Sequence, residues 1–275
     1  MGRLAVAYPG REGAHSAAAC DRLFPDAELV PVPSFVDVVE AASARDVDYG
    51  VLPIESTLVG PVAETHDLLF ESALAIVGET VLPIRHCVVG PAVVPLEEVR
   101  EVHSHPVALD QCRTLLAGMP WATAVASGTT ADAAALVAET GDPGIVAIAS
   151  ERAARLYGLE VVAGDVGDHR EAFTRFVSVA PWLRLDATSE EWRTAFSFVT
   201  DHRPGALART IEPFARHGID LVQLVSRPIP HTPWRYRFDA VLGGHPLDPV
   251  VSSALAEVRR LARRLRVFGS YPAAS

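Results

Sequence analysis

The chain has 275 residues, 49% of them hydrophobic and 21% charged, with a formal net charge of −10, which fits a soluble protein of two ordinary domains with a sizeable core. The acidic balance and the absence of a long basic tract exclude a surface that tracks nucleic acid, and no apolar run reaches membrane-spanning length. Three irregularly spaced cysteines, Cys20, Cys87 and Cys112, form neither a disulfide framework nor a zinc site and read as buried free thiols in a reducing compartment; the apolar N-terminus is too brief for a signal peptide, so the expected location is the cytoplasm.

In chain order, Arg3 to Tyr8 reads as a buried strand, followed by a Gly-containing turn and a helix from Ser16 to Leu23. Ala27 to Pro31 is a short strand, Phe35 to Ala42 a helix, Tyr49 to Ile54 a buried strand, and Leu74 to Val81 and His86 to Val89 are strands. Strand Val99 to His103 leads to helix Pro106 to Leu116, strand Ala122 to Ala126 to helix Ala131 to Glu139, and strand Ile145 to Ala149 to helix Glu151 to Tyr157. Phe173 to Val179 is one more strand. This βαβα rhythm predicts parallel or mixed sheets covered by helices, which bind ligands at the carboxyl ends of their strands. Pro181 to Glu190 mixes Pro, Asp, Thr, Ser and Glu and reads as a linker. Beyond it, strand Thr194 to Thr200, helix Ala206 to His217, strands Ile219 to Ser226 and Trp234 to Leu242, helix Val250 to Leu265 and a last strand Arg266 to Phe268 make a βαββαβ unit of about 80 residues. The densest basic stretch, Arg259 to Arg266, reads as the solvated face of that last helix, the alternative being an anion or nucleic-acid patch.

Several strand-to-helix junctions of the first unit place a hydroxyl just before the helix: Gly13-Ala14-His15-Ser16, Ser104-His105-Pro106 and Ser127-Gly128-Thr129-Thr130, with Glu55-Ser56-Thr57 and Gly60-Pro61 as a fourth polar loop. Helix starts offer unpaired N–H groups and a positive dipole end, and Gly10 and Gly13 let a backbone approach a ligand closely, so together these ends suit a small, multiply charged anion. Each junction alone also fits plain helix capping. Arg175 lies in an otherwise apolar strand and either faces water on an edge or has an anionic partner. His66, His86, His103, His105 and His169 show no metal-ligand spacing and read as surface or capping residues.

Taken in order, these residues resemble the prephenate dehydratase family. Tyr8-Pro9-Gly10-Arg11-Glu12-Gly13-Ala14-His15-Ser16 resembles its N-terminal motif, and Leu52-Pro53-Ile54-Glu55-Ser56-Thr57 with Gly60 and Asp67-Leu68-Leu69 resembles its Pro-[IV]-Glu-Asn-[ST] loop and following helix. Ser104-His105-Pro106 with Gln111-Cys112, Ala147 to Ser150, Leu156 to Leu159, and Thr174-Arg175-Phe176 are similar to later signatures, the last carrying the family's essential threonine. The small unit resembles an ACT domain, in which Pro204-Gly205-Ala206-Leu207 fits the ligand loop, Ser226-Arg227-Pro228 most of a Glu-Ser-Arg-Pro motif, and Gly269 to Pro272 the usual ending. The chain departs from the family pattern at Ser56 and Ala172, where Asn is usual, and at Val225, where a polar residue is usual.

The resemblance implies an α/β catalytic domain over residues 1–181, two-lobed like a periplasmic binding protein, a linker over 182–191, and an α+β, ferredoxin-like ACT regulatory domain over 192–275. It implies decarboxylating dehydration of prephenate to phenylpyruvate without metal or cofactor, with inhibition by L-phenylalanine. Thr174, Glu55, Ser104 and Gln111 would be catalytic; Ser16, Ser56, Thr57, Thr129, Thr130 and Arg175 would hold substrate. Because strand neighbours alternate, Arg175 is equally placed to support from behind. Pro204, Gly205, Ala206, Leu207, Ser226 and Arg227 would bind phenylalanine, and paired ACT domains would make a homodimer or homotetramer. The alternatives are an arogenate dehydratase, a non-aromatising prephenate decarboxylase, and a non-catalytic amino-acid sensor.

Overall fold

The computed structural model describes residues 2–183, 191–229 and 232–274. The first unit comprises β1 (Ala5–Pro9), α1 (His15–Leu23), β2 (Glu28–Val32), α2 (Phe35–Ala44), β3 (Tyr49–Ser56), β4 (Gly60–Pro61), α3 (Ala63–Glu71), β5 (Ala75–Pro83), β6 (Cys87–Gly90), β7 (Glu101–Ser104), α4 (Pro106–Asp110), α5 (Arg113–Ala117), β8 (Thr123–Ala126), α6 (Thr130–Thr140), β9 (Ile145–Ala149), α7 (Glu151–Tyr157), β10 (Glu160–Ala163) and β11 (Phe173–Ala180). The C-terminal unit comprises β12 (Trp192–Val199), α8 (Ala206–Arg216), β13 (Leu221–Pro228), β14 (Tyr236–Gly243), α9 (Pro249–Leu261) and β15 (Arg264–Pro272).

Two mixed sheets build the first unit as two lobes. One has the order β2-β1-β3-β11-β5 with β4 beside β3; the other runs β10-β6-β9-β7-β8. In the first, β1 and β3 are parallel and β11 is antiparallel to both β3 and β5; in the second, β7 is parallel to β8 and β9. Strands β1 and β9 are buried almost throughout because helices cover both faces, which is why their sequences are unbroken apolar runs rather than alternating ones. The chain crosses between lobes after β5 and again before β11, and the two crossings are tied by the Ile84 N–H donating to the Ala172 carbonyl at 2.8 Å.

The C-terminal sheet, β13-β14-β12-β15, lies directly against the first lobe. Ala195, Val241, Phe268 and Tyr271 share one apolar core with Leu52, Ile54, Leu69, Leu74, Ile76 and Val177. At Gly269 (φ +157°) a Cβ would sit 2.1 Å from the Ile76 carbonyl oxygen, so the backbone contact between β15 and β5 requires glycine. Beside this core, Arg237 is fully buried. It bonds Asp67 of α3 at 2.6 Å and Asp239 at 3.3 Å, and its guanidinium lies 4.3 Å from the Phe70 ring centroid. Burial alone would raise the Asp67 carboxyl, but hydrogen bonds from Arg237 and Arg227 outweigh it and hold that carboxyl below its usual range.

Three expectations are corrected. The helix expected over Pro106 to Leu116 is two short helices, because the Asp168 carboxylate, from the crossing segment, accepts the N–H groups of Arg113 (2.9 Å) and Thr114 (3.0 Å) and starts a new helix there. The last helix stops at Leu261 rather than Leu265, where the Arg263 N–H bonds the Val199 carbonyl and β15 begins. Arg266 is therefore not on a solvated helix face; it donates to the Phe70 and Leu74 carbonyls of the first lobe at 3.0 and 3.2 Å. Helix α3, expected only through the family loop, and strand β10 complete the unit. Of the expected linker, residues 184–190 lie outside the described residues.

Candidate active site

The two lobes face each other across a cleft of about 800 Å³. The carboxyl ends of β1, β3, β7 and β8 lead into the loops that line it, and so do the starts of α1 (Ala14, His15, Ser16), α3 (Val62, Ala63, Glu64), α4 (His105, Val107) and α6 (Thr129, Thr130). The N–H groups at these starts supply positive potential. No arginine lines the cleft among the described residues, and the sequence contains no lysine, so an anion bound here meets dipoles and hydroxyls rather than formal cations. Glu64 is the one carboxylate in the lining among the described residues.

The register of β3 and β11 decides which side chains reach the cleft. Thr174 pairs with Ser56, and Arg175 with Glu55. Paired residues share a face and consecutive ones alternate. Thr174 and Ser56 thus line the cleft side by side, with Phe176 next along β11 and Ala172 just before its start. Arg175 and Glu55 form an ion pair (3.3 Å) on the opposite face. There Arg175 also approaches the buried Glu79 at 3.8 Å, and Glu79 is held by Arg193 of the C-terminal unit at 2.8 Å.

Of the residues named from the sequence, Ser16, Ser56, Gln111, Thr129, Thr130 and Thr174 line this one cleft. Four others do not. Ser104 is fully buried and donates to the Ile148 carbonyl at 2.6 Å, so its hydroxyl fastens β7 to β9 instead of meeting a ligand. Thr57 accepts the Phe173 N–H at 2.9 Å and donates to the Glu171 carbonyl at 3.2 Å, anchoring the start of β11. Glu55 and Arg175 occupy the seam between the units. Within the cleft, Thr129 also caps α6, accepting from the Asp132 N–H at 3.0 Å, and Ser56 accepts from the Leu58 N–H at 3.3 Å.

Sequence reasoning missed the histidines of the site. His86 is buried in the crossing segment, with Nε2 2.8 Å from Gln111 Oε1; burial pushes its imidazole down, partly opposed by that hydrogen bond. His15 packs edge-on against it, ring centroids 6.3 Å apart, and is lowered to about 4 by burial and by His86. The surface or capping role expected for His86, His66 and His103 is corrected for each, since all three are buried and hydrogen-bonded, His66 to Asp239 at 3.2 Å and His103 to Glu101 at 2.8 Å. His105 does cap α4, accepting from the Val107 N–H. A lone His beside an apolar strand, as in His86-Cys87-Val88-Val89, was the available signal.

A family model described as prephenate dehydratase matches residues 6–181. The chain belongs to the prephenate dehydratase family. The arogenate dehydratase/prephenate dehydratase 2 of Arabidopsis thaliana is 36% identical, over 98% of this chain and 73% of the relative. A solved prephenate dehydratase from Arthrobacter aurescens, in complex with L-Phe, superposes with a TM-score of 0.90 at 30% identity, covering 98% of this chain and 90% of that one. A further solved structure, described as GqqA, a novel type of quorum quenching acylase, has a TM-score of 0.88 at 31% identity and covers 98% of each chain. The prephenate dehydratase fold therefore extends through the C-terminal unit as well as the two lobes.

In that unit, Gly205 (φ +75°) caps α8, the Pro204 carbonyl accepts from Arg209 at 3.0 Å, and Ala206 and Leu207 form the first turn. Ser226 is exposed on the edge strand β13, whereas Arg227 reaches back to Asp67 of α3 at 2.7 Å. Val225 pairs with Asp239 and so shares the sheet face turned to the first lobe.

Proposed function

We propose that the protein converts prephenate to phenylpyruvate. The carboxylate on the ring leaves as CO₂, its bonding electrons move into the ring, and the hydroxyl opposite departs, so that one aromatic ring, one CO₂ and one hydroxide result. Aromatisation drives the reaction, and the protein need only hold a dianion and assist the departing oxygen. The observation that carries this reading is the Thr174–Ser56 pair set side by side in a cleft ringed by helix starts and lined, among the described residues, by no arginine. Thr174 Oγ1 donates a hydrogen bond or proton to the leaving hydroxyl; a threonine is a weak acid, so its effect comes from placement. Gln111, Ser16, Thr130 and the helix-start N–H groups hold the carboxylates.

The C-terminal unit acts as an ACT domain that binds L-phenylalanine at the Pro204–Leu207 turn. This is supported by the helix-start N–H groups there and by the phenylalanine complex of the Arthrobacter relative. The exposed edge strand β13, with Val222 and Leu224 outward, suits pairing with a second copy in a homodimer, or in a homotetramer of two such pairs. Arogenate, which carries an ammonium group in place of the keto oxygen, is the second reading, favoured by Glu64 in the cleft and by the doubly named Arabidopsis relative.

Purified protein given prephenate or arogenate decides between them. Phenylpyruvate from prephenate is the expected product; faster phenylalanine release from arogenate shifts the assignment; a non-aromatic dihydro acid, or no turnover, defeats it. An acylase activity has less support, since no hydroxyl of the cleft is hydrogen-bonded to a histidine among the described residues. Calorimetry with phenylalanine on wild type and Val225→Glu tests regulation, with tighter binding in the variant expected if a polar group there orients the ligand.

A further inference from the structure

The dehydratase reading asks Gln111 to donate to an anion, and a carboxamide can present either its oxygen or its nitrogen to the cleft. Its neighbours decide which. The Gln111 main chain is fixed at both polar groups: its N–H donates to the Val107 carbonyl at 3.0 Å and its carbonyl accepts from the Asp168 N–H at 2.7 Å. Its side-chain oxygen lies 2.8 Å from His86 Nε2. His86 is itself fixed in the crossing segment, its carbonyl accepting from the Val166 N–H at 2.9 Å. On the other side its ring meets the edge of His15, from the first lobe.

We propose that His86 is the positioning residue that turns the Gln111 amide N–H groups toward the substrate. The tautomer follows from the pairing. With hydrogen on Nε2, the imidazole donates to Gln111 Oε1, both amide N–H groups stay available to a carboxylate, and the atom left unpaired is the buried acceptor Nδ1. With hydrogen on Nδ1, a buried donor is left unpaired, which folded proteins avoid more strictly, and Gln111 must turn its nitrogen to the histidine and its oxygen to the dianion. An anion-binding cleft selects the first arrangement. His86, itself in the cleft lining, thereby joins one lobe through His15 and the other through Gln111, and acts on the ligand through that glutamine.

The inference rests on the dehydratase reading and is tested with it. His86→Phe keeps a ring of similar size but has no donor. It should raise KM for prephenate about as much as Gln111→Ala does, ~10- to 100-fold for one hydrogen bond to a charged group, with kcat much less changed. The double variant should be no worse than Gln111→Ala alone, because the two losses are one loss. His86→Gln, whose amide nitrogen reaches the same position, should restore most of the affinity. Losses that multiply in the double variant, or a His86→Phe enzyme with wild-type KM, overturn the proposal. Should His86→Phe fail to fold, a folded His86→Gln protein with the KM of Gln111→Ala overturns it equally. Wild-type protein inert toward prephenate sinks the reading and this inference together; an active wild type with an indifferent His86 sinks the inference alone.

Discussion

The cleft and the seam beneath it are the two faces of the same pair of strands, and they handle charge in opposite ways. On the cleft face, Thr174 and Ser56 present hydroxyls to a space with no lining arginine among the described residues. On the seam face, one residue away, Arg175, Glu55, Glu79 and Arg193 neutralise one another, and Asp67, Arg227, Arg237 and Asp239 repeat the pattern around α3. These seam arginines are paired with carboxylates between the units and lie outside the cleft lining. A dianion gripped by a guanidinium would be stabilised in its ground state as much as in its transition state, which lowers KM without speeding the chemistry. Dipoles and hydroxyls placed where charge moves act on the barrier instead.

If that division of labour is right, substitutions on the two faces fail in different assays. The largest effect belongs to Thr174→Ala, which should lower kcat ~10²–10⁴-fold with a small change in KM and an unaltered denaturation midpoint, while Thr174→Ser keeps part of the rate. Steady-state kinetics beside a urea melt check both halves. Glu79→Ala should do the reverse. Removing a buried carboxylate from between two arginines strands their charge and should reduce stability by ~3 kcal/mol, read as a lower urea midpoint.

Ser104→Ala sharpens the contrast further. With its hydroxyl spent on the Ile148 carbonyl, it should lose ~1 kcal/mol of stability and keep kcat/KM within about twofold of wild type; a large kinetic loss would return Ser104 to the site. The smallest effect concerns pH. The His15 imidazole is lowered to about 4 in the folded protein, against ~6.5 in an unfolded chain, so between those values the unfolded state binds more protons. Stability is therefore full above ~6.5 and falls as pH drops toward 4. His15→Phe should flatten that fall, only partly because His86 is lowered in the same direction. Urea midpoints measured across the window would show it.

How much could be read from the sequence follows the same division. Most of the strand and helix order, the six cleft residues and the alternation that turns Arg175 away from Thr174 were legible, because they depend on local periodicity or on a motif spelled out in consecutive residues. What was not legible depended on residues far apart in the chain. Ser104 sits in a motif that looks like a helix cap, but its acceptor is 44 positions on. The break at Gln111–Cys112 is made by Asp168. Arg266 continues a basic helical pattern, yet its carbonyl partners lie in the first lobe. His86 carried no spacing signal, since its partner is a glutamine and not a metal or an acid.

Strand β11 joins these regions with no intervening joint. Thr174 and Arg175 are consecutive, so the residue that faces the cleft and the residue that faces Glu79 and Glu55 share one peptide bond. Energy transmitted along such a strand runs equally in both directions: whatever factor a ligand of the C-terminal unit imposes on occupancy of the cleft, occupancy of the cleft must impose on that ligand. Titrating either site with the other filled should therefore yield one and the same coupling constant.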